Sequence, residues 1–200
     1  MSPNTSQSAV SAREDRLLAF ALDFLLLTFA TALIWFAFSL VRVLVGAGTA
    51  FGAAALSGSA SAGSSQAMGS AGAMVGSMIL SWGIGVVQWA VIGLVLTAYF
   101  TLLVERDGQT LGMRATDVTV RAADGTACTR SQALRRTAVL LAPLPLMALS
   151  SVFIPIVGLP LALFVMVGWL VVEAVLIFTD DSAQRLGDRF ADTVVVEASA

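Results

Sequence analysis

The sequence contains no lysine and no histidine, so all eleven of its basic residues are arginine. Without histidine it lacks the commonest metal ligand and the one side chain that ordinarily titrates near neutral pH. Its single cysteine, Cys128, excludes an internal disulfide bond. Any acid–base or ion-coupled chemistry must therefore use carboxylates, the single tyrosine Tyr99 or Cys128.

Charge is also scarce. Only 12% of the 200 residues are charged and 58% are hydrophobic, whereas ordinary soluble domains are about 25% charged. The mean hydropathy is +0.89. The first apolar run follows the neutral flank Arg13-Glu14-Asp15-Arg16. It is longer than the ~7 to 15 residues of a signal peptide's apolar core, so we expect a retained helix. These features predict an integral, multi-pass membrane protein.

The apolar stretches between the charged blocks predict an all-α transmembrane fold, a four-helix membrane bundle with a small cytoplasmic β-hairpin element. A membrane helix needs ~20 apolar residues, and four stretches reach that length. Pro143 and Pro145 lie in the third stretch, so a kinked or re-entrant helix remains an alternative to a full span. The predicted spans cover about residues 17–45, 74–104, 132–152 and 156–178.

The segments outside the spans are polar or rich in small residues. We expect residues 1–15 to be a disordered cytoplasmic tail and 46–72, rich in Gly, Ala and Ser, to be an outer linker. Residues 16–196 form the predicted membrane domain, and residues 197–200 form a short tail. The predicted β element of the membrane domain consists of residues 105–131 together with residues 193–197.

The β element is predicted from alternation and turn chemistry. Residues 116–121 alternate as an exposed strand does, and the Asp124-Gly125 pair favours a turn. Residues 126–129 are the predicted return strand. We hypothesise that residues 193–197, with three consecutive valines, add a third strand, because a lone hairpin is marginal in water.

The distribution of arginine predicts the orientation. Ten of the eleven arginines lie in the N-terminal, central and C-terminal polar blocks, and only Arg42 lies at the other end of a span. Because basic residues collect on the cytoplasmic side of a membrane, we expect all three blocks and both termini to be cytoplasmic.

Asp23 is the only charged residue between Arg16 and Arg42. A carboxylate at a membrane helix centre costs roughly 2.5 to 3.5 kcal/mol on insertion scales, so such a residue normally has a partner. We expect an arginine from another element, and two roles stay open: a structural ion pair or a proton or cation site. The candidate partners are Arg135, Arg136, Arg185 and Arg189.

Glu173 is the second intramembrane carboxylate. It lies seven residues before Asp180, which places it ~10 Å inside the cytoplasmic interface, at about the depth of Asp23. Two facing carboxylates would share one proton or cation, because both cannot ionise freely at close range. The alternative is that Glu173 reaches the interface or pairs with an arginine.

The sequence shows no nucleophile–base arrangement, no metal-ligand cluster and no phosphate-binding glycine loop. We therefore expect neither an enzyme nor a cofactor or metal centre, and no nucleic-acid partner.

Three motifs follow one another along the chain: Arg16-Leu-Leu-Ala-Phe-Ala-Leu-Asp23, Gly108-Gln-Thr-Leu-Gly-Met-Arg114 and Arg185-Leu-Gly-Asp-Arg-Phe-Ala-Asp192. The ordered set, over about residues 13–196, resembles the RDD family of bacterial membrane proteins. The resemblance implies that Arg16, Asp23 and Asp188 are the name-giving residues and that the chain lies in the bacterial cytoplasmic (inner) membrane. Some family members look like sodium(lithium)/proton antiporters, and others are accessory membrane proteins.

The function that these features favour is cation/proton-coupled transport of Na⁺, Li⁺ or H⁺. Asp23 would carry the ion or proton, Glu173 would be a second carboxylate, and Arg16 and Asp188 would form a charge network that gates or braces it. Four helices make a thin wall, so a transporter would have to oligomerise. The alternative is a non-transporting scaffold or an assembly subunit of a larger membrane complex.

Overall fold

A computed structural model describes residues 3–57, 64–153, 155–179 and 184–198. Most of these residues are helical, and two short strands form a small sheet. The elements, in chain order, are α1 (Pro3–Ser57), α2 (Ser64–Asp107), α3 (Leu111–Ala115), β1 (Val118–Ala122), α4 (Arg130–Leu140), α5 (Leu144–Phe153), α6 (Pro155–Thr179), α7 (Leu186–Phe190) and β2 (Thr193–Glu197).

Among the described residues, two helices are long and apolar enough to cross a membrane. The qualifying parts are Glu14–Thr49 of α1 and Gly72–Asp107 of α2, and they contain the predicted spans 17–45 and 74–104. Large apolar side chains such as Phe29 and Leu94 are exposed, as a lipid-facing helix surface requires. The membrane class predicted from composition is therefore confirmed.

The third predicted span is a bent pair of helices. The axes of Arg130–Leu140 and Leu144–Ser150 differ by 45°. Pro143 lies at the break, and proline disrupts a helix because it lacks an N–H and clashes with the preceding turn. The N–H of Ala142 turns back to the carbonyl of Val139 at 3.2 Å. The pair is either one broken span or a re-entrant loop.

The fourth predicted span corresponds to α6, whose apolar part is Leu163–Ile177. Pro160 lies inside this helix near its start. Residue 154, between the last two predicted spans, and residues 199 and 200 of the predicted C-terminal tail lie outside the described residues.

Two segments predicted to be irregular are helical instead. The helix α1 begins at Pro3, so it includes most of the segment predicted as a disordered tail, and proline is well tolerated in a first helical turn. The predicted linker 46–72 is helical up to Ser57 and again from Ser64, while residues 58–63 lie outside the described part. Alanine is the best helix former and each glycine costs only about 1 kcal/mol, and this segment contains no proline.

The main partner of β1 is the C-terminal strand β2, not the return strand of the predicted hairpin. β1 pairs with β2 in antiparallel register from Val118↔Glu197 to Ala122↔Thr193, so the C-terminal strand joins the element as hypothesised. The predicted turn is present, because Gly125 has φ 85° and its N–H reaches the Ala122 carbonyl at 2.9 Å. The return strand 126–129 is wrong: in the described chain it contributes one isolated bridge, Arg121↔Ala127. β2 holds three consecutive valines, which favour a pleated surface more than Ala127 and Cys128 do.

The chain divides into two compact units, Met1–Phe29 with Gly93–Ala200 and Ala30–Ile92. In the second unit, Trp35 and Trp89 pack edge to face with ring centroids 6.1 Å apart. The Arg42 guanidinium lies 5.9 Å from the Trp35 ring centroid. The sites described below all belong to the first unit.

A twelve-residue pattern occurs twice in the first unit and was not among the features predicted from the sequence. We call residues 109–120 the first repeat and residues 184–195 the second repeat. Each position of the first repeat lies 75 residues before its counterpart in the second, as Leu111 does before Leu186. Six positions are identical between them. These are the pairs Gln109/Gln184, Leu111/Leu186, Gly112/Gly187, Arg114/Arg189, Asp117/Asp192 and Val120/Val195.

The two repeats have the same structure as well as similar sequences. Each is a five-residue helix, a two-residue turn and a strand. The turn ends on an aspartate in the left-handed region, Asp117 with φ 52° and Asp192 with φ 51°, a conformation that aspartate tolerates better than most residues. The counterparts Val120 and Val195 face each other across the sheet. The repeats are therefore related by a local two-fold axis at this pair.

Candidate functional site

Asp23 is 3% exposed and accepts three hydrogen bonds from neutral donors. The Tyr99 hydroxyl donates to Oδ1 at 2.6 Å, the Gly112 N–H donates to the same oxygen at 2.8 Å, and the Thr110 hydroxyl donates to Oδ2 at 2.5 Å. No arginine forms an ion pair with Asp23 among the described residues, so the predicted partner is wrong. Hydroxyl and amide donors compensate for removing the carboxylate from water.

These donors connect Asp23 of α1 to both α2 and α3. Tyr99 lies on α2, and its oxygen also accepts the Leu111 N–H at 3.2 Å. Thr110 caps α3 by accepting the Met113 N–H at 3.3 Å. The carboxylate therefore ties the start of the first repeat to two long helices.

Gly112 allows the first repeat to approach α1 this closely. A Cβ at this position would lie 2.1 Å from the Ala19 carbonyl oxygen and 2.8 Å from Cγ of Asp23. Real Cβ atoms do not approach a backbone oxygen that closely, so any other residue would separate the two elements. Tyr99, Thr110 and Gly112 are missing from the predicted site; Gly112 and Thr110 do stand in one of the three motifs that carry the family resemblance.

Asp188 forms the second charged site and is completely buried. Its carboxylate lies 2.8 Å from Nε of Arg136, 3.7 Å from Nε of Arg185 and 3.8 Å from Nη2 of Arg16. It also accepts the Arg185 N–H at 3.2 Å. Burial by itself would raise the pKa of Asp188, but Arg136, Arg185 and Arg16 outweigh it and hold that pKa below its usual range.

Glu173 lies near this arginine cluster. It is 2% exposed and interacts electrostatically with Arg185, Asp188 and Arg136. Among the described residues, no hydrogen bond joins Glu173 to Asp23. The hydrogen bonds to Asp23 come from Tyr99, Thr110 and Gly112. These contacts do not support a facing carboxylate pair. The alternative in which Glu173 pairs with an arginine stays a prediction, because no ion pair to Glu173 is formed among the described residues.

The structure divides the predicted site residues into two groups. Arg16, Arg136 and Arg185 converge on Asp188, with Glu173 nearby. Asp23 has its own donors, and Arg135 and Arg189 are exposed. Within the described ranges no three carboxylate or thiol groups lie together as metal ligands would.

The second repeat docks on α4 in the way that the first docks on α1. A Cβ on Gly187 would lie 2.9 Å from the Arg136 carbonyl oxygen, just as one on Gly112 would meet the carbonyl of Ala19. Arg136 is therefore the positional counterpart of Ala19. Four residues further along each helix, Leu140 is likewise the counterpart of Asp23.

A cavity of about 30 Å³ lies beside both charged sites. That volume is large enough to hold at least one water molecule. Its lining includes four counterpart pairs, so it lies between the two repeats and their docking helices. The pairs are Ala19/Arg136, Phe20/Thr137, Asp23/Leu140 and Thr110/Arg185.

Comparison with known proteins places the chain in a family. The description of the matching family is "RDD family", and the match covers residues 11–192. No curated protein and no solved structure shows a significant match. Because the match covers most of the 200 residues, the chain belongs to the RDD family, as its three ordered motifs indicate.

Proposed function

We propose that the chain is a non-transporting membrane scaffold, an assembly subunit whose buried charges fix its polar element to its helices. The observation that carries this proposal is the environment of Asp23. A carboxylate that carries ions must exchange its partners, whereas Asp23 is 97% buried and holds bonds from Tyr99, Thr110 and Gly112 at 2.5 to 2.8 Å. Those bonds join three separate elements, which is what a brace requires.

The proposed architecture has four spans, with α4 and α5 forming one broken span and α6 forming another. The order of elements supports it, because each repeat follows two apolar helical segments along the chain. Four spans place both repeats and both termini on one side. The arginine distribution favours the cytoplasmic side of a bacterial inner membrane.

The proposed docking surface for a partner is the exposed face of the polar element. Arg135 on α4 and Arg189 on α7 are both exposed, and these two helices pack against each other. Leu134 and Phe190 beside them are 48% and 64% exposed. A surface that mixes exposed arginine with large apolar side chains is typical of an interface. The partner would be a second copy of the chain or another subunit of a membrane complex.

A second candidate function is cation/proton-coupled transport of H⁺, Na⁺ or Li⁺. One observation favours it: Asp23 lines the cavity described above, so a water-sized space reaches its carboxylate. In this alternative Asp23 binds the ion or proton, and Arg16 and Asp188 gate access.

Ion flux through Asp23 distinguishes the two functions. Full-length protein in proteoliposomes with an internal pH dye would be compared with Asp23→Asn and with Glu14→Gln, an exposed control on the same helix. We expect no cation-dependent proton movement in any of them. Asp23→Asn should instead destabilise the protein by about 1 to 3 kcal/mol, because its amide group faces a donor. Wild-type flux that disappears in a folded Asp23→Asn protein would establish transport and refute the scaffold.

A further inference from the structure

The cavity between the two repeats has the features of a ligand site. Counterpart positions of the two halves both line it, and internal repeats commonly enclose a binding site at their interface. In each counterpart pair the chemistry is unequal: Asp23 corresponds to Leu140, and Arg136 corresponds to Ala19. The result is one asymmetric polar cavity.

Arg136 supplies unsatisfied hydrogen-bond donors at this cavity. The side chain is 6% exposed and its Nε lies 2.8 Å from Asp188. Neither terminal nitrogen has a hydrogen-bond acceptor among the described residues. Buried N–H groups without an acceptor are costly, so an acceptor that is not part of the chain is expected beside these two nitrogens.

The charge of the lining favours an anion as that acceptor. Arg16, Arg136 and Arg185 line the cavity with three positive charges, against the single negative charge of Asp23. Both oxygens of Asp23 already accept bonds from Tyr99, Thr110 and Gly112. Asp188 and Glu173 lie near the arginines without lining the cavity. Together with Asp23 they balance the three arginines, so the formal charge of the surroundings is zero and the positive groups are concentrated at the cavity wall.

The volume restricts the class of anion. The cavity volume of about 30 Å³ exceeds the ~10–15 Å³ that one water molecule needs on the same measure, so a small inorganic ion has room in it. We propose that the cavity between the two repeats binds a monatomic inorganic anion of the size of chloride, held by Arg136 and Arg16. This site is independent of the scaffold role, since neither ion flux nor partner binding enters the argument.

The test is anion-dependent stability of the full chain in detergent. Thermal unfolding would be followed by tryptophan fluorescence in sodium chloride, bromide, phosphate and gluconate at equal ionic strength. We expect chloride and bromide to raise the midpoint by roughly 2 to 4 °C in a saturable way. Gluconate should not raise it, and any rise in phosphate should be the non-saturable stabilisation that this salt gives to folded proteins in general. The absence of a saturable difference between chloride or bromide and gluconate would mean that water alone fills the cavity and would overturn the proposal.

A matched pair of variants localises the effect. Arg136→Lys keeps a charge near Asp188 but removes the two terminal nitrogens, so the chloride response should fall by at least half. Arg135→Lys changes the adjacent, exposed arginine and should keep the full response. Equal responses in the two variants would refute the assignment. If Arg136→Lys does not fold, wild-type crystals grown in bromide provide the second measurement: an anomalous peak beside Arg136 supports the site, and its absence there contradicts it.

Discussion

The two repeats have the same backbone but dock on their helices through opposite arrangements of charge. In the first repeat, the carboxylate belongs to the helix, as Asp23 of α1, and the repeat supplies donors from Thr110 and Gly112. In the second, the carboxylate belongs to the repeat, as Asp188, and the helix supplies the guanidinium of Arg136. The position equivalent to Asp188 in the first repeat is Met113, which is also buried.

This comparison separates what the repeated fold requires from what each copy has adapted. Both copies keep a glycine against a helix carbonyl and an aspartate in the left-handed region before the strand. Both also keep a glutamine that donates to the first strand carbonyl, Gln109 at 2.9 Å and Gln184 at 3.0 Å. The charged groups that form the docking contacts, Asp23 in the first copy and Asp188 with Arg136 in the second, are not kept. The backbone contacts therefore define the docking, and the charges differentiate two neighbouring sites.

The largest expected effect comes from filling the glycine contacts. Gly112→Ala would place a Cβ 2.1 Å from a backbone oxygen, whereas Gly187→Ala would place one at 2.9 Å. We expect Gly112→Ala to cost on the order of 4 kcal/mol, about 2 from overpacking and about 2 from the lost bond to Asp23. Gly187→Ala should cost about 2 kcal/mol from overpacking alone. Denaturant unfolding in detergent, followed by circular dichroism, measures both.

Gly168→Ala is the control for the glycine pair, because nothing lies within 4 Å of a Cβ built at that position in α6. It should be neutral or slightly stabilising, since alanine favours a helix over glycine. Equal costs at Gly112 and Gly187 would show that the closer contact relaxes freely and would weaken the argument that it fixes the docking.

Acid should act on the Asp188 site in a predictable direction. Its pKa is below the usual value, which is about 3.9 in an unfolded chain. The carboxylate therefore stabilises the fold at pH values above about 4 and loses that contribution as the pH falls through its lower folded pKa. The Asp188 contribution should be constant from about pH 7 to pH 5 and decrease only in stronger acid.

The acid effect is assigned by substitution at Asp188. Asp188→Asn should cost about 3 kcal/mol at neutral pH, because it leaves three arginines around a neutral group, and its stability should fall less steeply in acid. Asp124→Asn is the control: that pKa is also lowered, by hydrogen bonds from Thr126, but the carboxylate is at the surface. An unchanged acid dependence in Asp188→Asn would mean that other groups cause it.

The sequence predicted the long spans well because hydropathy is a local property, so residues 17–45 and 74–104 fall inside α1 and α2. The prediction of a loop at residues 46–72 was wrong for the described part of that segment. Its glycine content favours a loop and its alanine content favours a helix, so composition alone did not decide between them. The sequence prediction also failed for Asp23, whose donors lie 76 to 89 residues away. The predicted charge network of Arg16 and Asp188 is close to the observed cluster. A buried arginine needs a carboxylate partner, and this chain has few carboxylates that could be buried beside one. The repeat could have been found from the sequence, but it is a weak signal because only six of its twelve positions are identical.

The smallest expected effects test the repeat most directly, because they concern a bond that both copies share. Gln109→Ala and Gln184→Ala each remove a side-chain bond to a strand carbonyl nine residues on, at Val118 and Thr193. Each should cost about 1 kcal/mol, with Gln184→Ala at least as costly since Gln184 has further interactions. Hydrogen exchange of the β1 and β2 amides measures the local loss. If each variant exposes both strands alike, the sheet opens as one unit across the Val120–Val195 pair. If each variant exposes only its own strand, the repeats are held by their helices independently, and the two-fold relation does not extend to their stability.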